Sequence, residues 1–203
     1  MPPQPRLILI MGVSGSGKTT LGTALAARLG WHFDDADDFH PAASIAKMRQ
    51  GQPLNDADRA PWLDALQQQL VQRLARGERS VLACSALKKR YRQQLLGGLS
   101  GDVDARGSAP AASAAAVSAG LVYLHGPREL LAARLAARQH AFMPPGLLDS
   151  QLAALEVPDA REASPTLGNS SPALPILPPL HLDISPPPAA LVDQIIDHFS
   201  LYS

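Results

Sequence analysis

The sequence predicts an α/β fold in which a parallel sheet of about five strands carries helices on both faces. Two observations carry that prediction. A phosphate-binding pattern sits between a strand and a helix near the N-terminus, and apolar runs alternate with helix-patterned segments along the rest of the chain. With 203 residues and 46% hydrophobic content, residues 1–203 suffice for a single domain with a buried core.

The first element is Leu7-Ile8-Leu9-Ile10-Met11, a short apolar run that reads as a buried strand. Gly12 to Thr19 follows and matches G-x-x-x-x-G-K-[ST], and a helix is predicted over Lys18–Leu29. Glycines there let successive N–H groups turn inward around a polyphosphate, and the helix start adds unpaired donors and the positive end of its dipole. Gly12, Ser14, Gly15, Ser16, Gly17, Lys18, Thr19 and Thr20 are the predicted nucleotide contacts. Lys18 reaches the β- and γ-phosphates in this reading, and the Thr19 hydroxyl takes a position on magnesium. The pattern implies binding of ATP or GTP with Mg2+; a glycine-rich turn beside a solvated lysine is the plainer alternative.

Further strands are predicted at Trp31–Phe33, Ser80–Cys84, Leu121–His125 and Leu180–Ile184. Helices are predicted at Asp58–Arg76, Lys88–Leu96, Arg128–Arg138, Leu147–Leu155 and Ala189–Phe199. Pro61 falls in the first turn after Asp58, and Pro187-Pro188 precede the last helix. Gly97–Gly120 and Arg161–Pro179 show neither period, being rich in small residues and, in the second, proline; they read as surface loops or partly disordered insertions.

Eighteen basic and eighteen acidic residues cancel, so the charge balance points neither to nucleic acid nor to an anionic membrane. The lone Cys84 excludes an internal disulfide and reads as a small buried residue. No apolar run is long enough to span a bilayer, and the N-terminus lacks a leader layout. A cytoplasmic enzyme acting on a small molecule is the expectation, with no nucleic acid and no membrane partner.

Ligands in such sheets sit beyond the carboxyl ends of the strands. After the second strand come Asp34, Asp35, Asp37 and Asp38, which repel one another unless a cation or hydroxyl compensates. In an extended backbone Asp35 and Asp37 share a side, one toward the metal and the other toward an acceptor hydroxyl. A solvated loop capping the next helix is the alternative. His40 is a candidate substrate contact or a packing residue. After the third strand, Ser85 leads into Lys88, Lys89, Arg90 and Arg92, and so cationic a helix start opposes the helix dipole and implies a facing anion. Arg134 and Arg138, four apart ahead of a Pro-Pro-Gly loop, suit a lid that neutralises phosphoryl charge on closing, or simply a solvated face.

Taken together, these residues resemble the gluconokinase family of P-loop small-molecule kinases. The matching stretches are Met11 to Lys18, Asp35-Ala-Asp37, His40-Pro41, Lys47-Met48, Gly51 to Asp56, Asp58-Arg59 and Pro61-Trp62-Leu63. Later ones are Cys84 to Lys88, Tyr91-Arg92, Arg134, Arg138, Phe142, Leu147-Leu148, Ser150-Gln151 and Leu155-Glu156, in family order from residue 7 to about 158. The resemblance implies a three-layer P-loop kinase fold with a helical lid near residues 134–158, and often a homodimer. It implies transfer of phosphate from MgATP to the 6-hydroxyl of D-gluconate. Lys18, Asp37 and Arg134 are then catalytic, Thr19 and Asp35 serve the metal, and Arg134 and Arg138 meet the nucleotide. Asp37, His40, Arg59, Ser85, Lys88, Arg92 and His140 contact the substrate, with Arg59 on its carboxylate. The chain departs from the family at the two insertions and at Ala141, which separates His140 from Phe142. Another small-acid kinase, such as a shikimate kinase, or a nucleotide switch that recognises a macromolecule are the competing readings.

Overall fold

The computed structural model describes residues 4–97, 99, 118–137, 146–163 and 175–201. Strands β1 (Pro5–Met11), β2 (His32–Asp35), β3 (Ser80–Ala83), β4 (Ser118–His125) and β5 (Leu180–Asp183) form one sheet in the order β2, β3, β1, β4, β5. Every pairing is parallel, so β1 lies at the centre between β3 and β4. Helices are α1 (Lys18–Leu29), α2 (Ala42–Arg49), α3 (Asp56–Ala75), α4 (Lys89–Gly97), α5 (Arg128–Ala136), α6 (Gly146–Ala154) and α7 (Pro188–Phe199).

Alternation along the central strand builds the two faces, as a period of two requires. Leu7, Leu9 and Met11 point to the side of Trp62, Leu63, Leu66 and Leu70 of α3. Ile8 and Ile10 point to the side of Leu21 and Leu25 of α1 and Ile195 and Phe199 of α7. This is the predicted α/β, three-layer arrangement, with five strands.

The differences from expectation have local causes. α3 begins at Asp56 rather than Asp58 because Asn55 and Asp58 form a reciprocal capping box, which leaves Pro61 inside the helix, where it cannot donate to the carbonyl four residues back. α2 was not predicted; its eight residues carry a weak apolar stripe, and its C-terminal half is tied to α3 by Lys47, whose Nζ donates to both oxygens of Asp58 at 2.7 and 2.8 Å. Lys88 precedes α4 instead of opening it. Both predicted insertions shrink at their edges. Ser118–Gly120 belongs to β4, and Ile176 bridges Ala119 in parallel. Ala160–Ala163 forms a 3-10 turn in which Glu162 is buried. Gly97 ends α4 and Leu99 is buried in the core, while residues 98, 100–117 and 164–174 lie outside the described residues.

Candidate functional site

The loop from Gly12 to Gly17 is folded by its glycines. Gly12, Gly15 and Gly17 have φ of 148°, 83° and 93°, and a Cβ on Gly12 would lie 2.7 Å from the Leu124 carbonyl oxygen. Lys18 Nζ donates to the Val13 carbonyl at 3.1 Å, which folds the ammonium back over the loop. Ser16 Oγ is buried with no partner among the described residues, as expected of a hydroxyl inside an anion cradle. Thr20 is exposed beside the loop and borders a cavity of about 300 Å³, walled by Gly15, Gly17, Arg134, Ile184, Pro186 and Leu191. Arg134 donates to the Ile184 carbonyl at 2.9 Å, and its guanidinium faces Gly17.

The aspartates at the end of β2 and in the turn after it take different partners. Buried Asp34 receives two donors from Arg73, at 2.6 and 2.7 Å. Asp35 accepts the Thr19 hydroxyl at 2.6 Å and caps the following 3-10 turn by accepting the Asp37 N–H at 3.1 Å. Asp37 therefore lies in a turn, Ala36–Phe39, and not in extended backbone, and its side chain is 84% exposed. Sharing a face by strand alternation does not hold for Asp35 and Asp37; a capped turn brings them together instead. Thr19 and Asp35 present a hydroxyl and a carboxylate in contact, a hard oxygen pair that suits Mg2+.

A cluster of aromatic and charged side chains lies beside that turn. His40 stacks on Trp62 with ring centroids 4.4 Å apart and planes at 10°, and Trp62 Nε1 donates to the Ala36 carbonyl at 2.7 Å. The His40 side chain is only 7% exposed, its Nδ1 has no partner among the described residues, and Nε2 lies 4.0 Å from Asp37. Burial pushes its pKa down, opposed by Asp37 and reinforced by Arg59. Arg59 and Lys88 each stand 5.7 Å from the Tyr91 ring centroid. Arg59 also donates to the Leu54 carbonyl. Lys88 pairs with Asp56 at 3.2 Å. Ser85 is tied to the phosphate loop, its carbonyl accepting from Gly12 N–H at 3.4 Å. Arg138 and His140 lie outside the described residues.

The anion implied by the cationic start of α4 is supplied by the protein itself. Asp56 accepts from the Tyr91 hydroxyl, Arg90 and Lys88, and these donors, Tyr91 first, hold its carboxyl below the usual range. The Lys89 N–H donates to Glu156 at 2.6 Å. Arg92 was expected at the substrate, and this is corrected: it is 1% exposed, and its Nε, Nη1 and Nη2 all donate to Glu162 or to backbone carbonyls. A fully enclosed guanidinium paired in this way has no face left for a ligand. Cys84 is buried as expected, and burial pushes its thiol up to about 12, so it is no nucleophile.

Gln151 of α6 is a site residue that was not singled out for a role. Its Oε1 accepts the Ser14 N–H at 2.7 Å, where a phosphate oxygen would bind, and its Nε2 reaches Ser14 Oγ at 3.1 Å. Its motif neighbours gave no hint, since only the return of α6 over the loop creates the contact. Asp56 and Tyr91 were missed for the same reason: they meet across 35 residues of sequence.

A family model described as an AAA domain matches residues 7–158. The chain is 40% identical to a gluconokinase of Gluconobacter oxydans over 97% of this chain and 92% of that protein. It is 50% identical to a probable gluconokinase of Rattus norvegicus, covering 78% and 86% of the two chains. Among solved structures, a gluconokinase from Sinorhizobium meliloti superposes with a TM-score of 0.68 at 34% identity, over 98% of this chain and 92% of that one. Among the described residues no helix is long and apolar enough to cross a membrane.

Proposed function

Since this chain belongs to the gluconokinase family and is a kinase with the P-loop fold, we propose that it transfers the γ-phosphoryl group of ATP to the 6-hydroxyl of D-gluconate, giving 6-phospho-D-gluconate and ADP. The observation that carries this reading is the chain of contacts from the phosphate loop to His40. Thr19 of the phosphate loop touches Asp35, and Asp35 caps the turn that presents Asp37 beside His40.

The nucleotide enters with its phosphates on the N–H groups of Gly12 to Lys18 and its base in the cavity by Ile184, Pro186 and Leu191. The Thr19 hydroxyl and the Asp35 carboxylate would hold magnesium, which would offset phosphate charge when bound. Arg59 and Lys88 bind the substrate carboxylate, and Tyr91 carries both cations on its ring. His40 Nδ1, already desolvated, meets a substrate hydroxyl at little further cost, and Ser85 lines the same side. Asp37 orients the 6-hydroxyl and takes its proton as the oxygen–phosphorus bond forms and the bond to ADP breaks. Arg134, with Arg138, offsets charge on the transferring group once residues 134–158 close as a lid. We place this reaction in the cytoplasm, in a homodimer, where it would admit gluconate to the pentose phosphate or Entner-Doudoroff pathway.

ADP release from MgATP, followed with D-gluconate, shikimate, other sugar acids and no acceptor side by side, tests the reading. Strong stimulation by gluconate with 6-phosphogluconate as product is expected. Acceptor-independent hydrolysis, or stimulation by a different acid, overturns it.

A further inference from the structure

We infer that Arg92 is a positioning residue for the acceptor: together with Glu162 it clasps residues 155–162 onto the loop between β3 and α4, and so holds Ser85 and Lys88 in their receiving shape. This rests on the proposed reading of that loop as acceptor-binding.

The loop cannot hold itself. Ala86 has φ of 41°, the left-handed region, which a residue with a Cβ adopts only when its surroundings enforce it. Arg92 Nη1 supplies that enforcement by donating to the carbonyls of Ala86 at 2.8 Å and Leu87 at 3.2 Å, the two residues between Ser85 and Lys88. The guanidinium is itself fixed by Glu162, whose carboxylate receives Nε at 2.7 Å and also Nη2. Three more bonds pin the strap to the same loop. Arg92 Nη2 donates to the Glu156 carbonyl at 3.0 Å, the Glu156 N–H donates to the Leu87 carbonyl at 2.8 Å, and the Glu156 carboxylate takes the Lys89 N–H. A planar fork serving two loop carbonyls and one carboxylate is geometry that lysine cannot reproduce. The strap also begins where α6 ends, a short way from Gln151 on the phosphate loop, so one segment touches the loops of both substrates.

Arg92→Lys and Glu162→Gln are the test, with folding of each checked by circular dichroism. Two readouts are taken on the full chain: steady-state kinetics, and amide hydrogen exchange without substrate. We expect KM for D-gluconate to rise about tenfold or more, with KM for MgATP within about twofold. Exchange at 84–89 and 155–162 should accelerate in both variants, while 12–19 stays as in the wild type. A KM for gluconate that does not move, with kcat falling only as the folded fraction falls, would show a merely structural pair. Unchanged exchange at 84–89 would sink the clasp. If wild-type protein fails to phosphorylate gluconate, the proposed function is what fails, and the exchange data alone decide whether Arg92 shapes the loop.

Discussion

The phosphate loop and the proposed acceptor site lie side by side but are built by different means. The first is one continuous run whose backbone N–H groups are the working parts, so glycine conformations determine it. The second gathers side chains from the turn after β2, from α3 and from the loop before α4, and it depends on contacts such as His40 on Trp62 and Asp56 on Tyr91. A backbone-built site has few ways to be wrong. A side-chain-built site shares its charges between ligand and scaffold, and only the fold decides the division: Lys88 and Arg92 look alike in sequence, yet one lies at the pocket and the other is locked inside.

Mutations can sharpen that contrast, beginning where the effect is greatest. Lys18→Ala should lower kcat/KM by about a thousandfold or more while leaving the melting temperature nearly unchanged, because it removes the side chain that meets the transferring charge. Substantial residual turnover would break the assignment of the loop. Asp37→Asn should reduce kcat by about 10²–10⁴ with little change in KM for MgATP. On the carboxylate side, Arg59→Ala is expected to raise KM for gluconate about 10- to 100-fold, the loss of a charged hydrogen bond worth about 1.5–3 kcal/mol. Gln151→Ala frees the Ser14 N–H for phosphate and should tighten ADP binding about two- to tenfold by calorimetry, since a net hydrogen bond of about 0.5–1.5 kcal/mol no longer competes. Weaker binding would mean that the amide moves onto the phosphates when they arrive.

The smallest effect concerns an ion-pair cluster beside β2. Glu78 is held down to about 2 by Arg76 first and then Arg73, against an ordinary value of 4.5. A depressed folded-state pKa gives stability that is present above the unfolded value and lost as pH falls toward the folded one. The melting temperature of the wild type should therefore drop slightly more between pH 5 and pH 2 than that of Glu78→Gln, and equal slopes would count against the pairing.

How much of this was legible follows the same division. β1, the glycine loop and α1 could be read at once, since strand, loop and helix are local patterns; α1 spans the predicted Lys18–Leu29. The five strands and their parallel sheet were readable from apolar runs, because strands covered on both faces leave few polar interruptions. α2 was not, its stripe being weak, and α3 begins early because a cap outranks the apolar pattern. Thr19 was legible through the motif and Asp35 through the acidic cluster, whereas their contact and the turn that carries Asp37 were not, the turn depending on a side chain capping its own backbone. Arg92 could not be told from its neighbours by spacing. Its burial depends on Glu162, at the edge of a stretch that composition had marked as a loop.

The place of β1 in the sheet governs how the molecule is assembled during synthesis. Leu7 pairs with Ser80 on one side and with Ala119 on the other, both made well after it. Parallel partners so distant along the chain must pay loop-closure entropy before any pairing rewards it. The central strand, and with it the start of the phosphate loop, thus stays open on one flank until Ala119 has been translated. Until then an apolar run with unpaired edges is exposed to whatever surrounds the growing chain.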